Sequence, residues 1–324
     1  MKIVEVIPGR DDISIMPFVH RQVSSLEREN IDIYKFCLKS RTSIFILFLE
    51  FIRFRKLISK IDPDIVHAQF GTMTSFFCSL ATNIPLIITF RGSDLNPAPG
   101  SNVIRNRFGH LLSQISSIFA DYIICVSDQL TNKLWFSINR ISVIPSGIDV
   151  DLFKPIPKTK ARKLLYWEVN ARIVLFNAGK NPKGKRIDLA KKAVQIAKRK
   201  FPELELYTLH GNVPPDNMPL YYNAADCLLL TSEYEGSPNV VKEAIACNCP
   251  VVSVEVGDVA ERLKYVFPSY VVGRSPKKIS RGICKILEID KRSNGSNHIH
   301  DVSDEILSEK ILEIYKEIRN KKHE

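Results

Sequence analysis

The 324-residue sequence contains no uncharged apolar run that approaches the roughly 18 residues of a membrane-spanning helix. The short apolar run after Met1-Lys2 soon reaches charged residues, so it lacks the apolar core of a signal peptide. The seven cysteines show no C-x-x-C spacing and no metal-ligand spacing around a histidine. These absences predict buried thiols, no bound metal and a cytoplasmic location, which includes a peripheral position at the inner face of the cell membrane.

Basic residues are concentrated in one part of the chain. The net charge is +11, and residues 154–200 carry fifteen Lys and Arg against two acidic residues, Glu168 and Asp188. Such a block predicts an anionic partner, for which phosphates, nucleic acid and an anionic membrane face are the candidates. A solvated basic helix surface is the simpler explanation for part of it. Few aromatic residues interleave with these charges, which argues against single-stranded nucleic acid.

Short β-branched runs alternate with helical patterns from end to end of the chain. Strand, helix and strand repeated in this way predict parallel sheets with helices on both faces. The alternation pauses between Pro145 and Arg172, and the length suits two domains. We therefore predict an α/β fold of two doubly wound, Rossmann-like domains that face each other across a cleft. The predicted domains are 1–152 and 153–302, with a C-terminal helix at 303–320 that packs back on the first.

The segment TSEYEGSPNVVKEA, which begins at Thr231, follows a predicted strand and opens a predicted helix. Ser237 is the expected N-cap and Pro238 the first helical residue. The N–H groups of Asn239 and Val240 would then lack partners within the helix. Together with the positive end of the helix dipole they predict a phosphate site.

Two glutamates flank this predicted phosphate site. Glu243 lies four residues after Asn239 and so on the same helix face, where it can accept hydrogen bonds from two hydroxyls, as the acidic partner of a ribose does. Glu235, before the cap, would reach a second set of hydroxyls. A phosphate between two carboxylates that bind polyols predicts a nucleotide-sugar. Two glutamates that share this segment by chance are the alternative.

The loop GKNPKGKR at 179–186 resembles a phosphate-binding loop. Gly179, Gly184 and Lys185 satisfy most of G-x-x-x-x-G-K-[ST], but Arg186 replaces the final hydroxyl residue. A nucleotide triphosphatase needs that hydroxyl on magnesium, so this function is a distant alternative. A glycine-rich turn that carries Lys180 and Lys185 still suits a diphosphate. A basic turn without a ligand is the other interpretation.

Asp149-Val150-Asp151 matches the D-x-D metal motif of some sugar transferases. It lies at the predicted joint between domains and not at the end of a buried strand. We therefore predict no metal site there.

Several motifs together resemble glycosyltransferase family 4, the retaining enzymes of the GT-B fold, over nearly the whole chain. They are DIVHAQ, TFRGSD, ICVSDQLTNKL with ISVIPSGIDVDLFKP, FNAGKNPKGKR, MPLYYNAADCLLLTSEYEGSPNVVKEAIACNCPVV and EIYKEI. The block at 218–262 is the most specific of them. Within the family the sequence is most similar to bacterial enzymes that build cell-surface polysaccharide of the teichuronic-acid type. The resemblance implies a retaining, metal-independent hexosyltransferase without a cofactor.

The resemblance also assigns roles to the candidate residues. Glu243 would hold the ribose of the donor nucleotide and Glu235 the hydroxyls of its sugar, while the backbone from Gly236 to Val240 would lie along the diphosphate and sugar. Lys180 and Lys185 stand where the family has an arginine and a lysine, which keeps the charge but loses the bidentate guanidinium fork. Both lysines and the helix N-terminus would stabilise the negative charge of the leaving nucleotide diphosphate.

Arg91 is the main departure from the family. In TFRGSD it stands where the family usually has a histidine that touches the transferred sugar, and the loop GRDDISIMPF at 9–18 lacks the usual glycine pair. Either the sugar and acceptor contacts are rebuilt around Arg91, or activity is altered or lost. The alternative function is therefore a catalytically impaired binder of an anionic ligand or a membrane surface.

The function that the resemblance implies is transfer of a hexose or an N-acetylhexosamine from a nucleotide-sugar to a growing cell-surface glycan. A UDP-sugar is the favoured donor, a lipid-linked glycan is the expected acceptor, and no nucleic-acid partner is expected. The base would lie near the loop HGNVPPD at 210–216.

The segment SIFILFLEFIRFRKLISK at 43–60 bears on the acceptor. Six consecutive apolar residues, Ile44 to Leu49, precede aromatic and basic residues that interleave. A helix of this composition can lie in the interface of an anionic membrane. Core packing against the predicted sheet is the alternative.

Overall fold

The computed structural model describes residues 1–9, 16–27, 31–97, 102–136 and 140–323, so most of the loop GRDDISIMPF lies outside the described residues. The chain divides into two compact units, which we call unit 1 (Met1–Gly147 with Asp304–Glu324) and unit 2 (Ile148–Ser303). The divisions fall at 147 and 303, where the sequence predicts 152 and 302.

Unit 1 contains a parallel sheet with helices on both faces. Its strands are β1 (Lys2–Pro8), β2 (Asp32–Leu38), β3 (Ile65–Ala68), β4 (Leu86–Phe90), β5 (Tyr122–Cys125) and β6 (Ile141–Val143). Its first five helices are α1 (Pro17–Glu27), α2 (Ile44–Ile61), α3 (Thr72–Ala81), α4 (Val103–Ile118) and α5 (Asp128–Thr131). The sheet order is β2-β1-β3-β4-β5-β6. The central strands are buried along their whole length, as a parallel sheet covered on both faces requires.

Helices α2, α3 and α4 share one face of this sheet. Connections between parallel strands are right-handed, so the reversal of direction after β2 puts these three helices opposite α1. Helix α3 contacts both α2 and α4. The core beneath them contains three packed rings, with centroids of Phe36 and Phe54 4.9 Å apart and of Phe54 and Phe77 5.5 Å apart.

Helix α2 is covered on one face. Ser43 caps it, because its hydroxyl accepts a hydrogen bond from the Ile46 N–H. Leu47, Phe51 and Phe54 pack against the core, whereas Ile44 and Phe45 in the first turn are exposed. Core packing of segment 43–60 therefore holds for one face of the helix, and the other face of its first two turns presents apolar side chains to solvent. No helix within the described ranges has the length and hydropathy needed to cross a membrane.

Unit 2 contains the second parallel sheet. Its strands are β7 (Arg172–Asn177), β8 (Leu204–Leu209), β9 (Cys227–Leu230), β10 (Val251–Val254) and β11 (Tyr270–Val272), in the order β11-β10-β9-β7-β8. Its helices are α6 (Lys158–Leu164), α7 (Ile187–Ala197), α8 (Met218–Ala224), α9 (Asn239–Ala246), α10 (Val259–Arg262) and α11 (Pro276–Ile289). Short 3-10 helices cover Pro215–Asn217, Gly295–His298 and His300–Val302.

The strand order of unit 2 reverses at β7. The chain runs from β7 to its neighbour β8 and then returns across β7 to β9. Ligands of doubly wound sheets bind at the carboxyl ends of the strands where such a reversal occurs. The loops after β7 and β9 carry the two predicted binding segments. The prediction of two doubly wound parallel sheets is confirmed.

The last helix, α12 (Asp304–His323), belongs to unit 1. It contacts α1 and β3. Its Tyr315 is fully buried, and the Tyr315 hydroxyl donates a hydrogen bond of 2.8 Å to Glu5 of β1. A buried polar contact of this kind fixes the position of the helix, since an unpaired hydroxyl or carboxylate there would cost free energy.

Candidate functional site

The loops after β7 and β9 are joined by hydrogen bonds. The Glu233 N–H donates to the Gly184 carbonyl at 2.9 Å, and the Thr231 hydroxyl donates to the carbonyls of Lys185 and Arg186 at 2.8 and 3.0 Å. The two segments predicted from sequence to bind a nucleotide-sugar therefore form one site at the carboxyl edge of the second sheet.

Two asparagines shape the loop at 179–186. Gly179 has a φ of +51°, a conformation that favours glycine, and its N–H donates to the Asn177 side chain at 3.0 Å. The Gly184 N–H donates to the Asn181 side chain at 3.0 Å, and a Cβ at Gly184 would lie 2.5 Å from that amide. The loop is thus a tight turn whose exposed Lys180 has no ion-pair partner among the described residues.

Lys185 and Glu235 form an ion pair. Lys185 Nζ lies 2.5 Å from Glu235 Oε1, and the two side chains are 29% and 16% exposed. The sequence assigns Lys185 to phosphate and Glu235 to sugar hydroxyls, and the structure brings the two together. An incoming diphosphate would compete with Glu235 for the ammonium, which would release carboxylate lone pairs for hydroxyl donors.

Arg186 makes different contacts from its neighbours in the loop. Its guanidinium pairs with Asp188 at 2.9 Å and with Glu233 at 3.0 Å. These contacts bind the loop to the start of α7 and to the segment after β9. Arg186 is therefore a structural residue of the loop in this structure.

The prediction that Ser237 caps helix α9 is wrong. The helix begins at Asn239 with Pro238 as its N-cap, and no side chain caps it. The Ser237 hydroxyl instead donates to Asp258 at 2.7 Å and accepts a hydrogen bond from Lys242 at 2.9 Å. Because no side-chain oxygen covers the helix N-terminus, the amides of the first turn keep their capacity to bind an anion.

A buried charge cluster supports this corner. Lys242 is fully buried. Burial raises the pKa of Asp258, and the opposing effects of Lys242 and the Ser237 hydrogen bond reduce that rise. Paired and hydrogen-bonded charges inside a protein fix a single geometry, because breaking the pair leaves an uncompensated charge. Sequence reasoning missed Lys242 and Asp258, since their shared contact with the Ser237 hydroxyl joins α9 to the loop after β10.

That same loop touches the corner through its backbone. Gly257 has a φ of +55°, and a Cβ added there would lie 2.2 Å from the carbonyl oxygen of Gly236. A side chain at residue 257 would therefore displace the Gly236 backbone at this corner.

We expect Gly257→Ala to destabilise unit 2 by about 1 to 3 kcal/mol, because a strained φ and a backbone clash act together. The displaced corner should also weaken donor binding several-fold. Thermal unfolding and the KM for donor measure the two effects. Gly109→Ala in α4 is the control, since its added Cβ would meet only the flexible Thr72 side chain at 3.3 Å and no positive φ is involved. Equal behaviour of the two variants would contradict the role of Gly257.

Tyr222 holds Glu243. The Tyr222 hydroxyl donates to Glu243 Oε2 at 2.8 Å, and the tyrosine is fully buried on α8. Burial, followed by the charge of Glu243, raises the pKa of Tyr222 well above its usual value, so the hydroxyl remains a donor. Glu243 itself is half-buried on the first turns of α9. The sequence contains Tyr222 in the segment MPLYYNAAD, but nothing in that pattern identifies its partner.

Three buried polar atoms at this corner have no hydrogen-bond partner among the described residues. They are Ser232 Oγ, Asn239 Oδ1 and Asp258 Oδ1. A buried polar group without a partner costs about 1 to 3 kcal/mol. Their concentration beside the uncapped helix fits a site that binds a polar ligand.

Arg91 lies in unit 1, directly after β4. Its backbone N–H donates to both carboxylate oxygens of Asp94 at 3.1 and 2.9 Å. Its guanidinium donates to the Gln69 carbonyl and to Ser146, each at 3.0 Å, and to Gln22 at 3.1 Å. Burial lowers the pKa of Arg91 to about 10, against the opposing effects of Glu5 and Asp94, so the group stays charged at neutral pH.

The contacts of Arg91 extend to a buried polar network. Arg91 also bonds the Gln69 side chain, which donates to Glu5 at 2.7 Å, and Glu5 accepts from Tyr315 of α12. Burial raises the pKa of Glu5, but His67 and the hydrogen bonds outweigh this and leave it lowered. Arg91 therefore connects the end of β4 to the contact that fixes α12.

A basic cavity adjoins Arg91 within unit 1. Its volume is about 560 Å³, and its lining includes Arg91, Lys39 and Arg41. Arg41 lies over the Phe70 ring at 5.5 Å from the centroid. The positive lining suits an anionic or hydroxyl-rich ligand.

The D-x-D segment has a structural role. Asp149 accepts hydrogen bonds from the N–H groups of Asp151 and Leu152 at 3.0 and 2.9 Å, which forms a turn at the start of unit 2. Within the described part of the chain no group of His, Cys, Asp or Glu is arranged to hold a metal ion.

Ion pairs account for part of the basic block at 154–200. Six of its fifteen basic residues pair with acidic partners in unit 2; they are Lys158, Arg162, Arg172, Lys185, Arg186 and Lys200. The buried Arg162 bonds Asp226 at 3.0 Å and supports β9. Much of this charge therefore serves the fold of unit 2.

Comparisons with known proteins identify related families. The family described as Glycosyltransferase Family 4 matches residues 11–152, and that described as Glycosyl transferases group 1 matches residues 157–288. The sequence is 28% identical over 218 residues to a putative teichuronic acid biosynthesis glycosyltransferase of Bacillus subtilis. The matched region covers 61% of this chain and 54% of that protein. The chain spans about half the length of the curated relatives it matches.

Solved structures show the same fold. Sucrose-phosphate synthase from Thermosynechococcus elongatus matches with a TM-score of 0.79 at 16% identity, over 98% of this chain and 99% of that one. HepE from Anabaena, solved with UDP and glucose, matches with a TM-score of 0.74 at 14% identity, over 98% and 100% of the two chains. At these identities the likeness establishes the fold, which is GT-B, with two Rossmann-like domains.

Proposed function

Because this chain belongs to the family 4 glycosyltransferases, we propose that it transfers a hexose or an N-acetylhexosamine from a nucleotide-sugar to a glycan. The observation that carries the proposal is the arrangement in unit 2. A Lys185–Glu235 ion pair and Glu243 flank the uncapped N-terminus of α9. Such a donor consists of a ribose, a diphosphate and a sugar. Glu243 would bind the ribose and Glu235 the sugar, and the cationic groups between them would bind the diphosphate.

The favoured donor is a UDP-sugar. The support is indirect: HepE from Anabaena, which shares the fold, has been solved with UDP and with UDP-glucose. In this chain the diphosphate would lie between Lys180, Lys185 and the first-turn amides of α9. The base would lie beside the loop 210–216, where Gly211 approaches the backbone of Gly179.

The proposed reaction proceeds with retention and without a metal or a cofactor. As the anomeric bond breaks, negative charge builds on the leaving diphosphate. The two lysines and the positive end of the α9 dipole can stabilise that charge in place. The leaving phosphate would assist the incoming hydroxyl on the same face of the sugar, so no protein nucleophile is assigned.

The proposed acceptor is a lipid-linked cell-surface glycan, and the protein would act at the inner face of the membrane. The relative in Bacillus subtilis, assigned to teichuronic acid biosynthesis, supports this class of product. The cavity of unit 1 beside Arg91 is the candidate acceptor site, since its basic lining suits an acceptor that carries phosphate.

Hydrolysis of radiolabelled nucleotide-sugars tests the proposal. Transferases of this kind hydrolyse their donor slowly without acceptor, so one donor of a UDP-, GDP- and ADP-sugar panel should release sugar above background. A chelator should leave that rate unchanged. Release that Glu243→Ala does not reduce would refute the site assignment.

Catalytic impairment is the second candidate, and one observation favours it. At position 91 the family has a histidine that touches the sugar. Here the guanidinium of Arg91 is held by Gln69, Gln22 and Ser146. An impaired protein would bind one of the nucleotides by calorimetry and hydrolyse none of the panel. An active transferase would do both.

A further inference from the structure

The first two turns of α2 expose large apolar side chains. Ile44, Phe45 and Phe48 are 85%, 72% and 62% exposed, while Leu47 and Phe51 of the same turns pack against the core. Exposed apolar side chains that cluster in this way mark surfaces that bind a partner or a membrane.

Helix α4 has the same character at its N-terminal end. Val103, Ile104 and Phe108 are 64%, 79% and 55% exposed. Asn102 caps this helix through hydrogen bonds to the N–H groups of Ile104 and Arg105, so the exposed residues belong to a well-formed first turn.

The two exposed ends lie at one edge of unit 1. Helices α2 and α4 follow β2 and β4 of a parallel sheet, so both begin at its carboxyl edge, and α3 contacts both. Arg41 precedes α2 and Arg105 lies in the first turn of α4. Burial and then the positive charge of Arg105 lower the pKa of Arg41, in agreement with this placement.

The charge around these residues has one sign. Residues 39–61 and 102–120 carry eight Lys and Arg and one acidic residue, Glu50. Glu50 is buried and pairs with Arg53. At the two helix starts, Lys39 and Arg41 before α2 and Arg105 and Arg107 of α4 border the exposed apolar residues with positive charge.

We propose that these apolar ends of α2 and α4 form one surface, the α2–α4 surface, which docks on an anionic lipid bilayer. Apolar side chains can enter the interface while the surrounding Lys and Arg contact lipid phosphates. A second copy of the chain fits less well, because pairing through this surface would oppose two sets of positive charges. An acidic protein would satisfy the positive charge, but it would leave the exposed apolar side chains at the start of α2 without an apolar partner.

The α2–α4 surface adjoins the candidate acceptor cavity, which Arg41 and Arg91 line at the same edge of the sheet. Docking would bring this cavity to the lipid headgroups. This consequence rests on the proposed function, in which the acceptor is lipid-linked. Docking itself does not depend on it.

Vesicle flotation of the full chain tests the proposal. One set of vesicles contains phosphatidylcholine alone, and the other contains equal parts of phosphatidylcholine and phosphatidylglycerol. The protein should float with the anionic vesicles only. Phe45→Glu on α2 and Ile104→Glu on α4 should each lower the partition coefficient about tenfold or more, since each replaces an apolar side chain that would enter the membrane interface by a negative charge. Leu80→Glu is the matched control, since Leu80 is 60% exposed at the far end of α3.

The outcomes separate this proposal from the proposed function. Binding lost in Phe45→Glu and Ile104→Glu but kept in Leu80→Glu supports the α2–α4 surface. Equal flotation with both vesicle types, equal loss in all three variants, or dimers in solution that Phe45→Glu dissolves would overturn it. Donor hydrolysis in the absence of vesicles should be unchanged in Phe45→Glu. A protein that hydrolyses donor but does not float contradicts membrane docking and leaves the proposed function standing. A protein that floats but hydrolyses no donor contradicts the proposed function and leaves docking standing.

Discussion

Glu243→Ala should lower kcat/KM for the donor by about 10²-fold to 10³-fold, mainly through KM. A carboxylate that accepts hydrogen bonds from two ribose hydroxyls contributes about 1.5 to 3 kcal/mol for each bond. These bonds exist in both the bound donor and the transition state, so their loss appears as weaker binding. Initial rates across donor concentrations, with calorimetric titration of the nucleotide, measure the effect.

Two further variants isolate the carboxylate. Alanine also leaves the buried Tyr222 hydroxyl without its partner, so some loss of stability is expected. Glu243→Gln keeps an acceptor for Tyr222 and should recover stability but not affinity. Glu168→Ala, which removes an exposed glutamate of the same unit, should leave both unchanged. A donor KM that Glu243→Ala leaves as it was would disprove the ribose assignment.

The fold was within reach of the sequence because each layer leaves a periodic pattern. Ten short apolar runs, from KIVEVI at 2–7 to PVVSVEV at 250–256, predict ten of the eleven strands in the described residues, and helical patterns between them require parallel pairing. The missed strand is β11, Tyr270–Val272, at the edge of the second sheet. This short edge strand is only partly covered by its neighbours. Its three residues are too few to show either a continuous apolar run or an alternation of apolar and polar residues.

The sequence predicted which segments carry the candidate site residues, but not the buried contacts that hold those segments in place. Glu235, Glu243 and the loop at 179–186 lie in two short segments, and the order of the strands brings those segments together. The N-cap at Ser237 failed because a buried Lys242 and Asp258 bind its hydroxyl. Local capping rules do not include partners that arrive from another loop.

The same limit applies to α2 and to Arg91. The sequence predicts an amphipathic helix at 43–60, but exposure depends on how far neighbouring helices extend over it. Arg91 is visible in sequence as a departure from a family pattern. Its contacts with Gln22, Gln69 and Ser146 come from three other segments of unit 1, so its environment could be read only from the structure.

Lys185→Ala should lower kcat by about 10²-fold to 10³-fold, which is the usual cost of removing one preorganised group that stabilises charge in a transition state. Lys185 approaches the proposed diphosphate site from the loop after β7, and its ammonium is already fixed by Glu235 at 2.5 Å. The charge on the leaving group grows during bond cleavage, so this loss should appear in kcat more than in KM. Lys183→Ala, in the same loop and exposed to solvent, is the control and should change little.

A double-mutant cycle with Glu235→Ala separates the two roles of Lys185. If Lys185 only positions Glu235, the double variant should be no slower than the slower single variant. If Lys185 neutralises the leaving diphosphate, the double variant should be slower than Glu235→Ala by the full effect of the lysine. Thermal unfolding should change little in either single variant, because a partly exposed ion pair contributes about 0 to 1 kcal/mol. We expect the second result, since among the described residues the ammonium of Lys185 pairs only with Glu235 of the proposed donor site, whereas Arg186 of the same loop is bound to Asp188 of α7. Turnover of Lys185→Ala at the rate of the unmodified chain would remove the loop from the mechanism.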